Sequence, residues 1–378
     1  MKKMKKQVYQ TISFLFILAL LTAAATSCSG TNAAPSTSAG ATQPGATSGS
    51  AAPADAPKEL FPLKAVTPPA GYGELLIADA LNFFEEEGID IVYIGTLGQG
   101  ITDLQMIEQG ECDVSYNGHP ASVAQARLQG FKITMVAPGM VDDPDNPHVT
   151  YLVDKDSDLY AIDDLVGKKV GVTGTAACID GYIKYYLNNK GLDSSSIEFV
   201  TLPQTWQMEQ AVLQGLIDAT TSHSTTASIA KTTDDYRVIG SSWTIFESPA
   251  AGLGARCLAD RIIEEHPEVV QGFVNAMYRA RLWINGHLEE AREIGAAYAG
   301  LEPEDLVGNV ECPEKNIDND WIKLWFDISE DIGLWEPGDI LTTDIYTNQF
   351  IPRDAPESDK TLKWDGSIKD TSGENEKK

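Results

Sequence analysis

The sequence predicts an α/β protein of two lobes, each a mainly parallel sheet flanked by helices, joined by two crossover hinge segments. Three observations carry this expectation. Short apolar runs alternate with amphipathic helical patterns over most of the chain. The alternation runs through the same order twice. An extended segment follows each block, as needed by a chain that leaves one lobe, builds a second and returns.

The first block opens with a strand at 64–67. Residues 73–87 place Leu76, Ala80, Leu81 and Phe84 on one helical face, and Gly88 follows as a helix stop. A strand at 89–94, a helix at 101–109, a strand at 113–116, a helix at 120–128 and a strand at 132–137 complete the block. The second block runs strand 169–173, helix 180–188, Gly191, strand 197–202, helix 207–213 and strand 217–221. The parallel reaches single residues. Gln109-Gly110-Glu111-Cys112-Asp113 matches Gln214-Gly215-Leu216-Ile217-Asp218, a helix ending on Gly and a strand beginning at Asp. Residues 148–153 and 250–257 read as the crossovers. A long helix over 267–299 carries Val270, Phe273, Val274, Met277 and Ile284 as its apolar stripe, with Pro267 suited to its first turn. The expected first lobe is 61–152 plus 246–350, and the second is 153–245.

The two ends differ in composition from this body. Residues 1–27 combine a basic MKKMKK start, an apolar run short for a membrane span, and small residues before Cys28. Ala25-Thr26-Ser27-Cys28 resembles a bacterial lipobox, with Ala25 where Leu is usual. That resemblance implies cleavage before Cys28, lipidation of Cys28 and an extracytoplasmic, lipid-anchored location at the cell membrane; plain secretion with an unmodified Cys28 is the alternative. Residues 28–60, rich in Ser, Gly, Thr, Ala and Pro, read as a flexible linker, and 351–378 as a partly disordered tail.

Of 378 residues, 55 are Asp or Glu and 28 are Lys or Arg, a formal net charge of −27. That balance excludes a phosphate-backbone partner and so nucleic acid. It argues against a broad funnel for anions but not against one local anion site. Beyond Cys28 the cysteines are Cys112, Cys178, Cys257 and Cys312, with no CxxC among them, and they are expected to be mostly unbonded. No cofactor is expected, and the protein is expected to be a monomer.

Residues 161–230 (beginning AIDDLVGKKVGVTGTAACIDGYIKYYL) resemble the nitrate/sulfonate/taurine and thiamine-precursor family of ABC transporter substrate-binding proteins. So do FFEEEGIDIVY and QGECDVSYNGHPA in the first block and HPEVVQGFVNAMYRARLWI in the long helix. The resemblance covers residues 63–345. It implies a type II periplasmic-binding-protein-like fold whose lobes close on a small organic molecule of the alkanesulfonate, taurine-like or pyrimidine-precursor class and deliver it to a permease. Two alternatives stay open: a tethered ligand sensor, and an enzyme built on Cys178 and His223. A fungal branch of the family makes the thiamine pyrimidine on this fold with a cysteine-rich motif that is absent here.

In open parallel sheets, ligands bind beyond the carboxyl ends of strands. This rule selects Tyr72, Gly73, Gly98, Gln99, Asn117 and His119 in the first block. In the second it selects Thr173, Gly174, Thr175, Ala176, Trp206 and His223. Thr173-Gly174-Thr175 stands at a strand-to-helix junction, where free helical N–H groups can hold a sulfonate, carboxylate or polar heterocycle without lysine. Thr175 offers a hydroxyl to the ligand, or simply caps the helix. The scarcity of Lys and Arg in these turns disfavours nitrate. Tyr72 and Trp206 read as walls, and Tyr116 and Trp243 as walls or core. His119 and His223 are expected to face each other across the cleft. Two histidines suggest zinc, but such a site wants three or four ligands, so no metal is expected. Cys178, one turn into its helix, is either a modulated thiol or small filler.

Overall fold

Two five-stranded sheets organise the chain, and they share one strand order. The computed structural model describes residues 59–68, 71–95, 102–174, 177–202, 204–223, 230, 233–306 and 310–354. Cys28, Gly98, Gln99, Thr175 and Ala176 lie outside the described residues. In chain order the strands are β1 (Phe61–Ala65), β2 (Ile89–Tyr93), β3 (Val114–Gly118), β4 (Ile133–Pro138), β5 (Met140–Val141) and β6 (Val149–Asp154), then β7 (Lys169–Val172), β8 (Glu198–Thr201), β9 (Ala219–His223), β10 (Tyr236–Ser241), β11 (Ala255–Ala259) and β12 (Val310–Glu311). The helices are α1 (Glu74–Ala80), α2 (Phe83–Glu86), α3 (Asp103–Glu108), α4 (Pro120–Leu128), α5 (Tyr182–Asn189) and α6 (Thr205–Leu213), then α7 (Ser242–Phe246), α8 (Asp260–Glu265), α9 (Pro267–Gly286), α10 (Leu288–Ala299) and α11 (Asn319–Asp331).

The first sheet runs β2-β1-β3-β11-β4 and the second β8-β7-β9-β6-β10. β1 is parallel to β2 and β3, as β7 is to β8 and β9. β11 runs antiparallel to β3 and β4, and β6 antiparallel to β9 and β10. These two antiparallel strands are the ones expected from residues 250–257 and 148–153. Each occupies the fourth place of its sheet because the chain arrives there from the other sheet.

The repeated Gly-to-Asp motif has a physical role. Gly110 (φ 75°) and Gly215 (φ 66°) end α3 and α6 in the left-handed region, where a side chain would be strained. Three residues on, Asp113 Oδ2 accepts the amide of Lys64 at 2.8 Å, and Asp218 Oδ2 accepts that of Lys169 at 2.7 Å. The backbone answers with Asp113 N donating to Lys64 O at 2.9 Å and Asp218 N to Lys169 O at 2.8 Å. In both sheets the carboxylate therefore ties the start of the central strand to its parallel neighbour, near the end of β1 in one and at the start of β7 in the other.

The sequence pattern misplaces several boundaries: the strand expected at 64–67 is β1 at Phe61–Ala65, and the one expected at 217–221 is β9 at Ala219–His223. The helix expected over 73–87 is two helices, broken at Asn82, which takes a left-handed conformation (φ 57°) that Asn tolerates better than most residues. The helix expected over 267–299 breaks at His287, whose ring stacks on Trp283 at 4.8 Å while Nδ1 lies 3.0 Å from the Trp283 carbonyl. The second block's first helix is reached through a π turn, Ala177–Gly181, before α5 proper. Elsewhere the agreement is close: α4 starts with Pro120 as its first residue, and α9 buries Val270, Phe273, Val274, Met277 and Ile284.

The crossovers touch each other. A Cβ on Gly252 would fall 2.3 Å from the amide nitrogen of Asp142, so only glycine fits there. Asp142 N also donates to Pro249 O at 2.9 Å. α11 packs over this junction, where Trp325 Nε1 donates to Ala250 O at 2.8 Å. Cys112, Cys178, Cys257 and Cys312 are buried free thiols. Among the described residues no helix is long and apolar enough to cross a membrane.

Candidate functional site

The carboxyl ends of the two equivalent strands β3 and β9 lead to one cluster of imidazoles. His119 follows β3 and precedes α4. A Cβ on Gly118, just before it, would lie 2.4 Å from Cys257 Sγ, so β3 can approach β11 this closely only without a side chain there. His119 does not cap α4 with its side chain; Nδ1 sits 2.9 Å from Leu253 O in the second crossover, and the ring stacks on Trp325 at 4.9 Å. With a carbonyl as partner, Nδ1 carries the hydrogen and Nε2 keeps its lone pair.

His148, which the sequence reading did not select, stands between the two expected histidines. It immediately precedes β6, and its amide donates to Asp142 Oδ1 at 2.6 Å, which fixes the first crossover. Its ring lies 5.0 Å from that of His119 and 5.1 Å from that of His223. His223 ends β9 and pairs with Val149 in the register of β6. Cys178, in the π turn, places Sγ 3.8 Å from His223 Nε2. Tyr182 at the start of α5 donates its hydroxyl to Ala251 O and packs against Trp325 at 5.6 Å.

Burial sets the charge state of this cluster. It lowers the His119 and His223 imidazoles to about 4, with the positive charge of Arg256 adding to the effect on His119 and the Leu253 hydrogen bond opposing it. His148 is driven well below the usual histidine range by burial first, then by its two imidazole neighbours. The Cys178 thiol is pushed up to about 12, chiefly by burial. His119 and His223 keep some accessible surface, yet enough protein surrounds them to exclude a charged ring. At neutral pH the site is a set of uncharged donors and acceptors.

The other expected residues are placed individually, and no side chain described among them stacks on or hydrogen-bonds to the ring of His119 or His148. Thr173 and Gly174 follow β7 and are partly exposed, and a Cβ on Gly174 would meet nothing within 4 Å. Close packing therefore does not require a glycine at 174. Asn117 lies within β3. Tyr72 is 7% exposed, and the Arg292 guanidinium lies 6.0 Å over its ring. Gly73 caps α1 without a side chain. Trp206, in the first turn of α6, is 54% exposed. Tyr116 and Trp243 are partly buried.

The scarcity of basic residues holds for the turns in sequence but not in space. Glu74, directly after Gly73, receives a hydrogen bond from Arg256 Nε, and its other oxygen lies 3.3 Å from Arg281 Nε. Arg256 also reaches Glu311 at 3.6 Å, and Arg281 donates to Pro138 O. Two cations and two carboxylates thus neutralise one another in a buried group. No local pattern signals it, because its members come from α1, β11, α9 and β12.

The family model described as NMT1/THI5 like matches residues 71–291. The chain is 26% identical over 149 residues to a putative thiamine biosynthesis protein of Haemophilus influenzae, covering 39% of this chain and 44% of that protein. The chain thus spans less than half the length of that relative. It is 23% identical over 300 residues to the 4-amino-5-hydroxymethyl-2-methylpyrimidine phosphate synthase of Legionella pneumophila, covering 75% of this chain and 89% of that protein. Among solved structures, the periplasmic aliphatic sulphonate binding protein of Escherichia coli superposes with a TM-score of 0.61 at 16% identity, over 80% of this chain and 95% of the other. The fold is therefore that of a periplasmic binding protein.

Proposed function

This chain belongs to the NMT1/THI5-like family, and from that premise we propose that it is an extracytoplasmic solute-binding protein of an ABC importer. In this reading, residues 61–152 with 246–350 and residues 153–245 are lobes that close on a small organic molecule. The solute is of the alkanesulfonate, taurine-like or pyrimidine-precursor class. The protein acts as a monomer, held at the membrane through Cys28, and passes its cargo to a permease.

One observation carries the reading: the carboxyl ends of equivalent strands from two like-ordered sheets converge on His119, His148 and His223, beside two touching crossovers. That is where open α/β sheets place ligands, and uncharged imidazoles suit hydrogen bonding to a polar head group. Native mass spectrometry of the purified protein identifies the cargo. Isothermal titration with alkanesulfonates, taurine and a hydroxymethylpyrimidine then ranks the classes, and small-angle scattering at saturation is expected to show contraction. Unchanged dimensions with a bound solute would remove lobe closure, and no binding to any of the three classes would remove the solute assignment.

The name of the Legionella relative and the 3.8 Å approach of Cys178 to His223 favour a second reading, an enzyme. Nucleophilic catalysis by cysteine needs a thiolate and a base able to take its proton. Here burial holds the thiol near 12 and the imidazole near 4, so proton transfer between them is strongly uphill. The binding reading is preferred on that ground.

A further inference from the structure

We propose that His119, His148 and Cys178 form a site for one thiophilic, borderline-soft metal ion of the Zn²⁺ class, placed where the two crossovers meet. The ligating atoms of these three residues all lie within 4.8 Å of one another. A tetrahedral ion with bonds of about 2.0–2.3 Å holds its donors roughly 3.3–3.8 Å apart. Small side-chain rotations therefore close the set.

Each donor is prepared for this role by its surroundings. Nδ1 of His119 is committed to Leu253 O at 2.9 Å, which fixes the tautomer and leaves the Nε2 lone pair for an ion. His148 supplies an independent indication. It is 3% exposed, and neither of its ring nitrogens has a hydrogen-bond partner among the described residues. Buried polar atoms are nearly always satisfied, so an imidazole orphaned at both nitrogens points to something it binds. Cys178 contributes the soft donor that separates Zn²⁺, Co²⁺ and similar ions from Mg²⁺ and Ca²⁺, which want oxygen.

The chemistry balances simply. Binding forms two metal–nitrogen bonds and one metal–sulfur bond, and the Cys178 thiol proton leaves to solvent, one per ion. A neutral imidazole coordinates through its lone pair and loses no proton. Three protein donors leave a fourth position for His223, whose Nε2 is 3.8 Å from Sγ, or for a donor atom from outside. The three residues belong to the β3–α4 turn, the first crossover and the π turn before α5, so a bound ion ties the first sheet to the second. The proposal goes beyond the solute reading and does not depend on the solute's identity.

The test uses the full chain, stripped with chelator and re-equilibrated with ZnCl₂ or CoCl₂. About one Zn²⁺ per chain is expected, with release of about one proton in calorimetry across buffers. Co²⁺ is expected to give tetrahedral d–d bands and a thiolate charge-transfer band. Cys178→Ser is expected to abolish that band and weaken Zn²⁺ binding by about a hundredfold or more, and His148→Gln by about tenfold or more. Cys112→Ser, at a buried thiol elsewhere, is expected to change neither. Should Cys178→Ser fail to fold, the wild-type Co²⁺ spectrum decides alone. Absence of a thiolate band, or Mg²⁺ binding as well as Zn²⁺, overturns the proposal and returns the orphan nitrogens of His148 to the solute.

Discussion

Cys178 Sγ lies 3.8 Å from Nε2 of His223, a contact between residues 45 positions apart that joins the π turn to the end of β9. Both groups are uncharged, because burial moves the thiol up from about 9 to about 12 and the imidazole down from 6.5 to about 4. A rise of that size cuts the thiolate fraction at neutral pH by about a thousandfold. In the metal-free native protein, alkylation of Cys178 by iodoacetamide is therefore expected to be at least about a hundredfold slower than in urea. Peptide mapping by mass spectrometry gives the rate. Native labelling as fast as in urea would show an accessible thiolate and revive the enzymatic reading.

The buried group of Glu74, Arg256, Arg281 and Glu311 gives a stability prediction. Burial and the negative charge of Glu74 lift Glu311 to about 7, while Arg256 and Arg281 pull it down. Removing one cation leaves the carboxylates without their main partner. Arg256→Met is expected to destabilise the fold by about 3–5 kcal/mol, the usual cost of breaking a buried pair from one side. Urea unfolding at pH 8 measures it. A loss below about 1 kcal/mol would mean that the carboxylates are neutral or reached by water.

These two predictions differ in how far the sequence foreshadowed them. His119 and His223 were legible because each follows a strand in corresponding blocks, and the rule for strand carboxyl ends selects such positions. His148 was not, since it precedes a strand in a crossover, and nothing local marks a crossover residue as facing a site. Trp325, stacked on His119, lies more than 200 residues downstream in α11, a helix outside both repeated blocks. Arg256 and Arg281 were missed for the same reason: their partners are set by which strand inserts beside which. The breaks at Asn82 and His287 had weaker local signals. Asn tolerates the left-handed region, but the stacking of His287 on Trp283 is a tertiary choice that helical periodicity does not encode.

The twin carboxylates at the strand starts give a comparison internal to the molecule. Asp218→Ala removes the acceptor for the Lys169 amide and is expected to cost about 1–2 kcal/mol. Asp113→Ala removes the acceptor for the Lys64 amide and also the charged one of two acceptors for Arg261 Nη2, which lies 2.5 Å from Asp113 Oδ1 and 3.0 Å from Cys112 O. It is expected to cost more, about 2–3 kcal/mol, because a charged donor is added to the same loss. Urea midpoints of the two variants test the ranking. The reverse order would show that Arg261 is readily resolvated and adds nothing.

The neutral imidazoles make stability depend on pH with a definite sign. His119 has a folded value of about 4 against 6.5 when free, so between these values the unfolded chain binds a proton that the folded chain refuses. Stability is therefore unaffected by this residue above about pH 6.5 and falls as the pH drops toward 4. Asp142, raised to about 6 by burial, and Glu311, raised to about 7, act the other way, since the folded chain keeps their protons longer than the unfolded one. The wild-type profile is a compromise among these groups, and only a variant isolates one of them. His119→Gln can keep a donor for Leu253 O while removing the titration. Near pH 5, with chelator present, its unfolding free energy is expected to fall less steeply on acidification than that of wild type, by up to about 1.4 kcal/mol per pH unit. Across the window from 6.5 to 4 the difference accumulates to about 3 kcal/mol. Urea titrations at half-unit steps from pH 4 to 7 read this directly. Parallel profiles for the two proteins would mean that the folded chain accepts the proton at His119, and an imidazole that charges so readily is not held in the dry, uncharged site described above.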